Sequence, residues 1–83
     1  MKVKILYFAG LREQLGKPGE DLDVSPTTVA GLRTLLMARG DVWRSALAQG
    51  RALRVAVNQE MAQPTTPVKP GDEVAFFPPV TGG

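Results

Sequence analysis

The sequence predicts an α+β domain in which helices cover one face of a mixed sheet. Two observations predict it. Apolar residues alternate with polar ones at period two over residues 2–9, 20–25, 52–57 and 73–77, while Val29, Leu32, Leu35 and Leu36 recur at three- and four-residue intervals. A helical stripe bracketed by strands buries its apolar side against their apolar face, giving two layers around one core. A chain of 83 residues makes one small domain, which buries somewhat more than about 60% of the surface its unfolded form exposes. That leaves little room for an enclosed active-site pocket.

Residues 2–9 open the chain as a strand with Val3, Ile5 and Tyr7 on one face and Lys2, Lys4, Leu6 and Phe8 on the other. The lysines mark the second face as wet, so Phe8 is out of phase with the core. Leu11 and Leu15 stand at helical spacing around Arg12 and Glu13, and the Gly-Lys-Pro-Gly run at 16–19 closes that turn in a surface loop. Residues 20–25 alternate again, placing Leu22 and Val24 inward on an antiparallel second strand. Ser25 or Thr28 can cap the helix that follows, whose stripe runs from Val29 to Leu36 and ends at Arg39-Gly40. Gly31 costs that helix about 1 kcal/mol relative to alanine.

Asp41 is placed to cap a short helix carrying Val42, Trp43, Ala46 and Leu47 and closing at Gly50. Trp43 reads either as a lid on the core or as a stacking surface for a ligand. Leu53, Val55 and Val57 alternate with Ala52, Arg54 and Ala56 in a third strand, stopped by a turn at Asn58-Gln59. Residues 60–63 suit a short edge strand, and Pro64 and Pro67 leave little regular pairing after it. The turn at Lys69 to Asp72 launches the last strand, Glu73 to Phe77, with Val74 and Phe76 on one face and Glu73, Ala75 and Phe77 on the other. Phe77 is thus apolar on a wet face, as Phe8 is. If the first and last strands are neighbours, the two rings form a small apolar patch suited to a protein partner; the alternative is that loops cover them.

Composition narrows the chemistry. With no cysteine and no histidine, the chain lacks a thiolate nucleophile, a disulfide, the commonest general base and the usual zinc ligands, so self-sufficient catalysis is hard to build. Ten basic residues against eight acidic ones are scattered without a run of one sign, which argues against nucleic-acid binding. No apolar run approaches the about 20 residues of a spanning helix, and the N-terminus opens directly into strand-like sequence. No membrane association and a cytoplasmic location are therefore expected.

The last stretch is unlike an ordinary terminus, which tolerates any residue. After Phe77 it stiffens at Pro78 and Pro79, continues through Val80 and Thr81, and thins to Gly82 and Gly83. The expectation is that the α-carboxyl of Gly83 is the chemical group the protein carries.

The order of elements resembles the β-grasp, or ubiquitin-like, fold: a mixed sheet of about five strands packed on one main helix plus a short helix. Lys4 to Ala9 with Leu11, Arg12 and Glu13, then Val55 to Gln59, and above all Gly71 to Gly83 resemble the small subunit of molybdopterin synthase, the MoaD family. The resemblance spans the whole chain and implies a β-grasp domain over 1–77 with a C-terminal Gly-Gly tail over 78–83. It implies a sulfur carrier of molybdenum cofactor biosynthesis with no permanently bound cofactor and no metal. Gly83 would be adenylated by an ATP-dependent activating enzyme, converted to a thiocarboxylate, and inserted into the large synthase subunit. Its sulfur would go there to a cyclic pterin precursor, with the catalytic groups on the large subunit. Pro78, Pro79, Val80, Thr81 and Gly82 would thread the tail, and Phe8, Met61 and Phe77 would contact the large subunit in a heterotetramer of two small and two large subunits. Arg12 would either position a surface loop or pair with an acidic partner group. Three other readings remain: a carrier for thiamine thiazole synthesis, a ubiquitin-like modifier, and a plain interaction module.

Overall fold

The computed structural model describes residues 1–48 and 53–78. Among them the elements run β1 (Lys2–Tyr7), α1 (Gly10–Leu15), β2 (Gly19–Asp23), β3 (Thr27–Thr28), α2 (Val29–Met37), α3 (Asp41–Leu47), β4 (Arg54–Val57), β5 (Glu60–Met61), β6 (Pro67–Val68) and β7 (Glu73–Phe77). Five strands form one mixed sheet in the order β2-β1-β7-β4-β5. Its central pair, β1 and β7, is parallel, with Lys4 opposite Glu73 and Tyr7 opposite Phe76. β2 and β4 flank that pair antiparallel, and β5 is a short edge on β4. All three helices join the core on one side of the sheet, and this is the β-grasp arrangement.

Strand alternation decides what is buried. Val3, Ile5 and Tyr7 of β1, Val55 of β4 and Val74 and Phe76 of β7 point to the helices and are buried. Against them α2 lays Val29, Leu32 and Leu36, α1 lays Leu11, and α3 lays Ala46 and Leu47. Leu35 and Val42, placed inward by the sequence reading, are exposed instead. Each lies about 100° around its helix from the residue that sets the stripe, Leu36 in α2 and Trp43 in α3, so each sits on the flank.

The cap of α2 is Thr28, whose Oγ1 accepts from the Gly31 amide at 3.2 Å. A Cβ on Gly31 would overlap Thr27 Oγ1, so this glycine answers a close approach of strand to helix. At α3 the expected cap, Asp41, is not the cap. Gly40 holds that position without a side-chain hydrogen bond, and Asp41 accepts instead from Arg44 Nη1 at 2.9 Å. The far end of α3 is held by Arg33 of α2, which donates to the carbonyls of Leu47 and Ala48, both at 2.6 Å. The two-residue ladder of β3 with β6, Thr27 opposite Val68 and Thr28 opposite Pro67, was not expected after two prolines. It is short because Pro67 can accept but not donate.

The turn at Asn58-Gln59 has positive φ at both residues, 53° and 68°, the geometry of a two-residue hairpin. Asn58 then locks it to the next turn: its Nδ2 donates to Asp72 Oδ1 at 2.9 Å and its Oδ1 accepts from the Glu73 amide at 3.0 Å. The central strand β7 is thus fixed at its start before it enters the sheet.

Tyr7 is buried yet polar at its tip, and its hydroxyl donates to Glu20 Oε2 at 2.8 Å. Glu20 also accepts from both terminal nitrogens of Arg39, at 2.7 and 3.0 Å. Arg39 lies over the Trp43 ring, 4.6 Å from its centroid, and that ring meets Tyr7 edge-on at 5.7 Å. Trp43 is accordingly a lid on the core. Burial alone would raise the Glu20 pKa, but hydrogen bonds from Arg39 and Tyr7 and the charges of Arg39 and Lys17 outweigh it and hold the carboxyl below its usual range. A depressed carboxyl pKa adds stability that is present above the unfolded value, about 4.3, and lost as pH falls through the folded value. Thermal melts should therefore show stability falling below about pH 4.3, and Glu20→Gln should cost about 1–2 kcal/mol at neutral pH and flatten that fall. An unchanged acid limb in the variant would remove Glu20 from this role.

Gly19 supplies a second stability test. A Cβ there would stand 2.5 Å from the Ile5 carbonyl oxygen and 3.0 Å from Leu6 Cδ2. The first obstacle is backbone in the β1–β2 ladder and cannot rotate away. Gly19→Ala is expected to destabilise by about 1–3 kcal/mol in denaturant titration, and a neutral result would contradict the ladder geometry.

Candidate functional site

The face of the sheet turned away from the helices carries the residues that the core does not use. Strand register arranges them in rows. One row runs Gly19, Leu6, Ala75, Ala56 and Met61 across five strands. The next, one pleat nearer the end of β7, sets Phe8 beside Phe77 and Phe77 beside Arg54; Phe8 is tied there by its amide, which donates to the Phe76 carbonyl at 3.1 Å. Together these rows form an apolar platform with a flat floor of alanines on which Leu6, Met61, Phe8 and Phe77 stand. Phe8 is 46% and Met61 60% exposed, and Phe77 is half-buried. Exposed apolar side chains gathered in this way mark a surface built to be covered.

Local backbone explains why Phe8 stands there. Ala9 adopts φ 55°, ψ −131°, a region non-glycine residues rarely occupy, at a cost on the order of 1–3 kcal/mol. It turns the chain sharply from β1 into α1, where the amides of Leu11 and Arg12 donate to the carbonyls of Phe8 and Ala9. Leu11 then buries while Phe8 stays on the opposite side. Nothing in the residue type of Ala9 signals this, which is why sequence reading missed it.

Of the residues singled out from the sequence, Phe8, Met61 and Phe77 are brought together on the platform, and the neighbouring β1 and β7 place the two phenylalanines side by side. Pro78 follows Phe77 at the platform's end and is half-buried. Pro79, Val80, Thr81, Gly82 and Gly83 lie outside the described residues. Arg12 is on the exposed side of α1, and its guanidinium makes no hydrogen bond or ion pair with any described residue. Arg54 was not singled out. Alternation in β4 turned it outward, but only the register with β7 shows that it stands next to Phe77.

Among the described residues no three His, Cys, Asp or Glu side chains come together as a metal site, and no helix is long and apolar enough to cross a membrane. Tyr7 is the one described residue whose pKa departs far from its ordinary value. Burial first, then the hydrogen bond to Glu20, keep its proton on, and it faces the core rather than the platform. What the surface offers chemically is a docking face adjoining the start of residues 78–83.

The ThiS family profile matches residues 5–83. A protein of Escherichia coli (strain K12) named molybdopterin synthase sulfur carrier subunit is 44% identical over 81 residues, 98% of this chain and 99% of its own length. A Haemophilus influenzae protein of the same name is 43% identical with the same coverage. Among solved structures, SAMP1 from Haloferax volcanii superposes with a TM-score of 0.75 at 30% identity, covering 100% of both chains.

Proposed function

This chain belongs to the ThiS family, and from that premise we propose that it is the sulfur carrier subunit of a molybdopterin synthase in molybdenum cofactor biosynthesis. The observation that carries this reading is the end-to-end match, at 44% identity, to a relative of that name. The apolar platform supports it, because a carrier must dock on a partner while presenting its tail.

Gly83 is the group that reacts. A terminal carboxyl has an ordinary pKa of about 3.5 and is a resonance-stabilised anion at neutral pH, a poor electrophile. ATP-dependent adenylation by an activating partner joins a carboxylate oxygen to the α-phosphorus and releases pyrophosphate. The acyl carbon then carries AMP as leaving group, and a sulfur donor displaces it to leave a thiocarboxylate, a covalent modification. Inside the large subunit the sulfur bonds to the cyclic pterin precursor, and water cleaves the acyl–sulfur bond, returning Gly83 to a carboxylate. A chain without histidine or cysteine has no evident base or nucleophile for these steps, so the catalytic groups belong to its partners.

The tail's composition suits delivery. Glycine at 82 and 83 lets the backbone pass a channel too narrow for a Cβ. Two proline rings fix their own φ angles, reducing the entropy lost on threading. From Pro78 to Gly83 the chain reaches at most about 20 Å, enough to enter a site beneath a partner's rim. Phe8, Met61 and Phe77 dock the domain on the large subunit, in an assembly of two small and two large subunits in the cytoplasm.

The family match alone does not separate this pathway from a carrier serving thiazole synthesis. Copurification from cells tests the choice: recovery with the large subunit of molybdopterin synthase is expected, and recovery with a thiazole synthase instead would overturn the assignment.

A further inference from the structure

The charges on the platform face are unevenly placed. Away from the tail, every charged strand residue has an opposite charge across the ladder: Lys2 faces Asp23, and Lys4 stands between Asp21 and Glu73. In the two rows nearest the tail the described strand residues are apolar or glycine, from Leu6 and Phe8 to Met61 and Phe77, except for one charge, Arg54. Lys17, just before β2, turns to the other side, its Nζ 3.8 Å from Glu20 and 5.9 Å from the Trp43 ring centroid. Arg54 is exposed and makes no ion pair or side-chain hydrogen bond with any described residue. β5 pairs with Ala56 and Val57, and the Ala62 amide donates to the Val55 carbonyl at 2.9 Å; that pairing stops one residue short of Arg54, which stands exposed at the platform's margin beside Phe77.

We infer that Arg54 is a register-setting contact of this interface, taking a carboxylate on the rim of the large subunit. The inference rests on the reading that the platform docks that subunit. A partner covering Phe77 brings apolar surface against the neighbouring guanidinium, and a desolvated cation without a counter-charge opposes association. A carboxylate removes that penalty, and the planar fork of arginine binds it through two parallel hydrogen bonds, which fix orientation as well as position. The apolar rows alone are nearly featureless between Leu6 and Ala56 and permit sliding. One directional contact next to Phe77 holds the docked domain so that residues 78–83 start from a fixed point.

The test is calorimetric titration of the full chain into the purified large subunit at low and at high salt, with Arg54→Ala, Arg54→Glu, Arg54→Lys and Phe77→Asp. Because Arg54 is exposed, its variants should fold, and circular dichroism checks this. Arg54→Ala is expected to bind about tenfold and Arg54→Glu about 100-fold more weakly at low salt. Arg54→Lys should recover only part of the loss, and the differences should shrink at high salt. If Phe77→Asp loses affinity while Arg54→Glu binds within about twofold of the parent at low salt, this inference is overturned and the docking reading stands. If Phe77→Asp also binds like the parent, the platform is not the interface and both fall.

Discussion

Adding a single alanine after Gly83 is expected to abolish cofactor synthesis in cells while leaving the melting temperature unchanged. The extension moves the reacting carboxyl to a new residue up to about 3.5 Å farther along the chain and puts a Cβ on it. A misplacement of about 1 Å at a reacting centre costs on the order of 100-fold in rate, so loss of at least that size follows if the terminal glycine carboxylate is the group activated and delivered. The domain itself should not register the change, because its core is complete by Phe76. Complementation of a carrier-deficient strain measures the loss, and retained cofactor synthesis by the extended chain would remove Gly83 from its role.

Phe77→Asp should weaken binding to the large subunit by about 30-fold or more, since truncating a central aromatic anchor commonly costs 2 kcal/mol or more and a carboxylate in its place must also be desolvated. The domain should stay folded: Phe77 points away from the helices, while its neighbours Val74 and Phe76 fill the core. The matching change at Phe76, one residue earlier and fully buried, should prevent folding altogether. Titration calorimetry beside a thermal melt separates the two. Unchanged affinity at Phe77→Asp would show that the platform is not the docking face.

How far the sequence could be read depended on whether a property is local or requires a neighbour. The strands announced themselves because period-two alternation is imposed within each segment, and Val74, Phe76, Val3 and Ile5 are buried as that pattern requires. The Thr28 cap and the Asn58-Gln59 turn are likewise local chemistry, and both are where the residue types put them. The helix flanks were harder. Leu35 and Leu36 are chemically identical, and only the angle at which α2 meets the sheet makes one core and the other surface. The β3–β6 ladder joins segments some 40 residues apart in sequence, and no local signal marks such a pairing.

The platform was legible in part. Phe8 and Phe77 betrayed themselves as apolar residues on strand faces labelled wet by lysines and Glu73. That they lie side by side follows from the parallel pairing of β1 with β7, which was a condition of the reading and not a product of it. Arg54 went unremarked because an outward arginine on a strand is ordinary until its row is known. The reading of Gly83 as the reacting group rests on composition and on resemblance to a family, and those two grounds are what the decisive experiment must replace.

That experiment is the intact mass of the protein isolated from cells that contain, and cells that lack, the adenylating partner. The account predicts a species heavier by the replacement of one oxygen by sulfur, localised to the peptide containing Gly83 and absent without that partner. An unmodified C-terminal peptide from both sources, persisting after reconstitution with the partner, ATP and a sulfur donor, would contradict it.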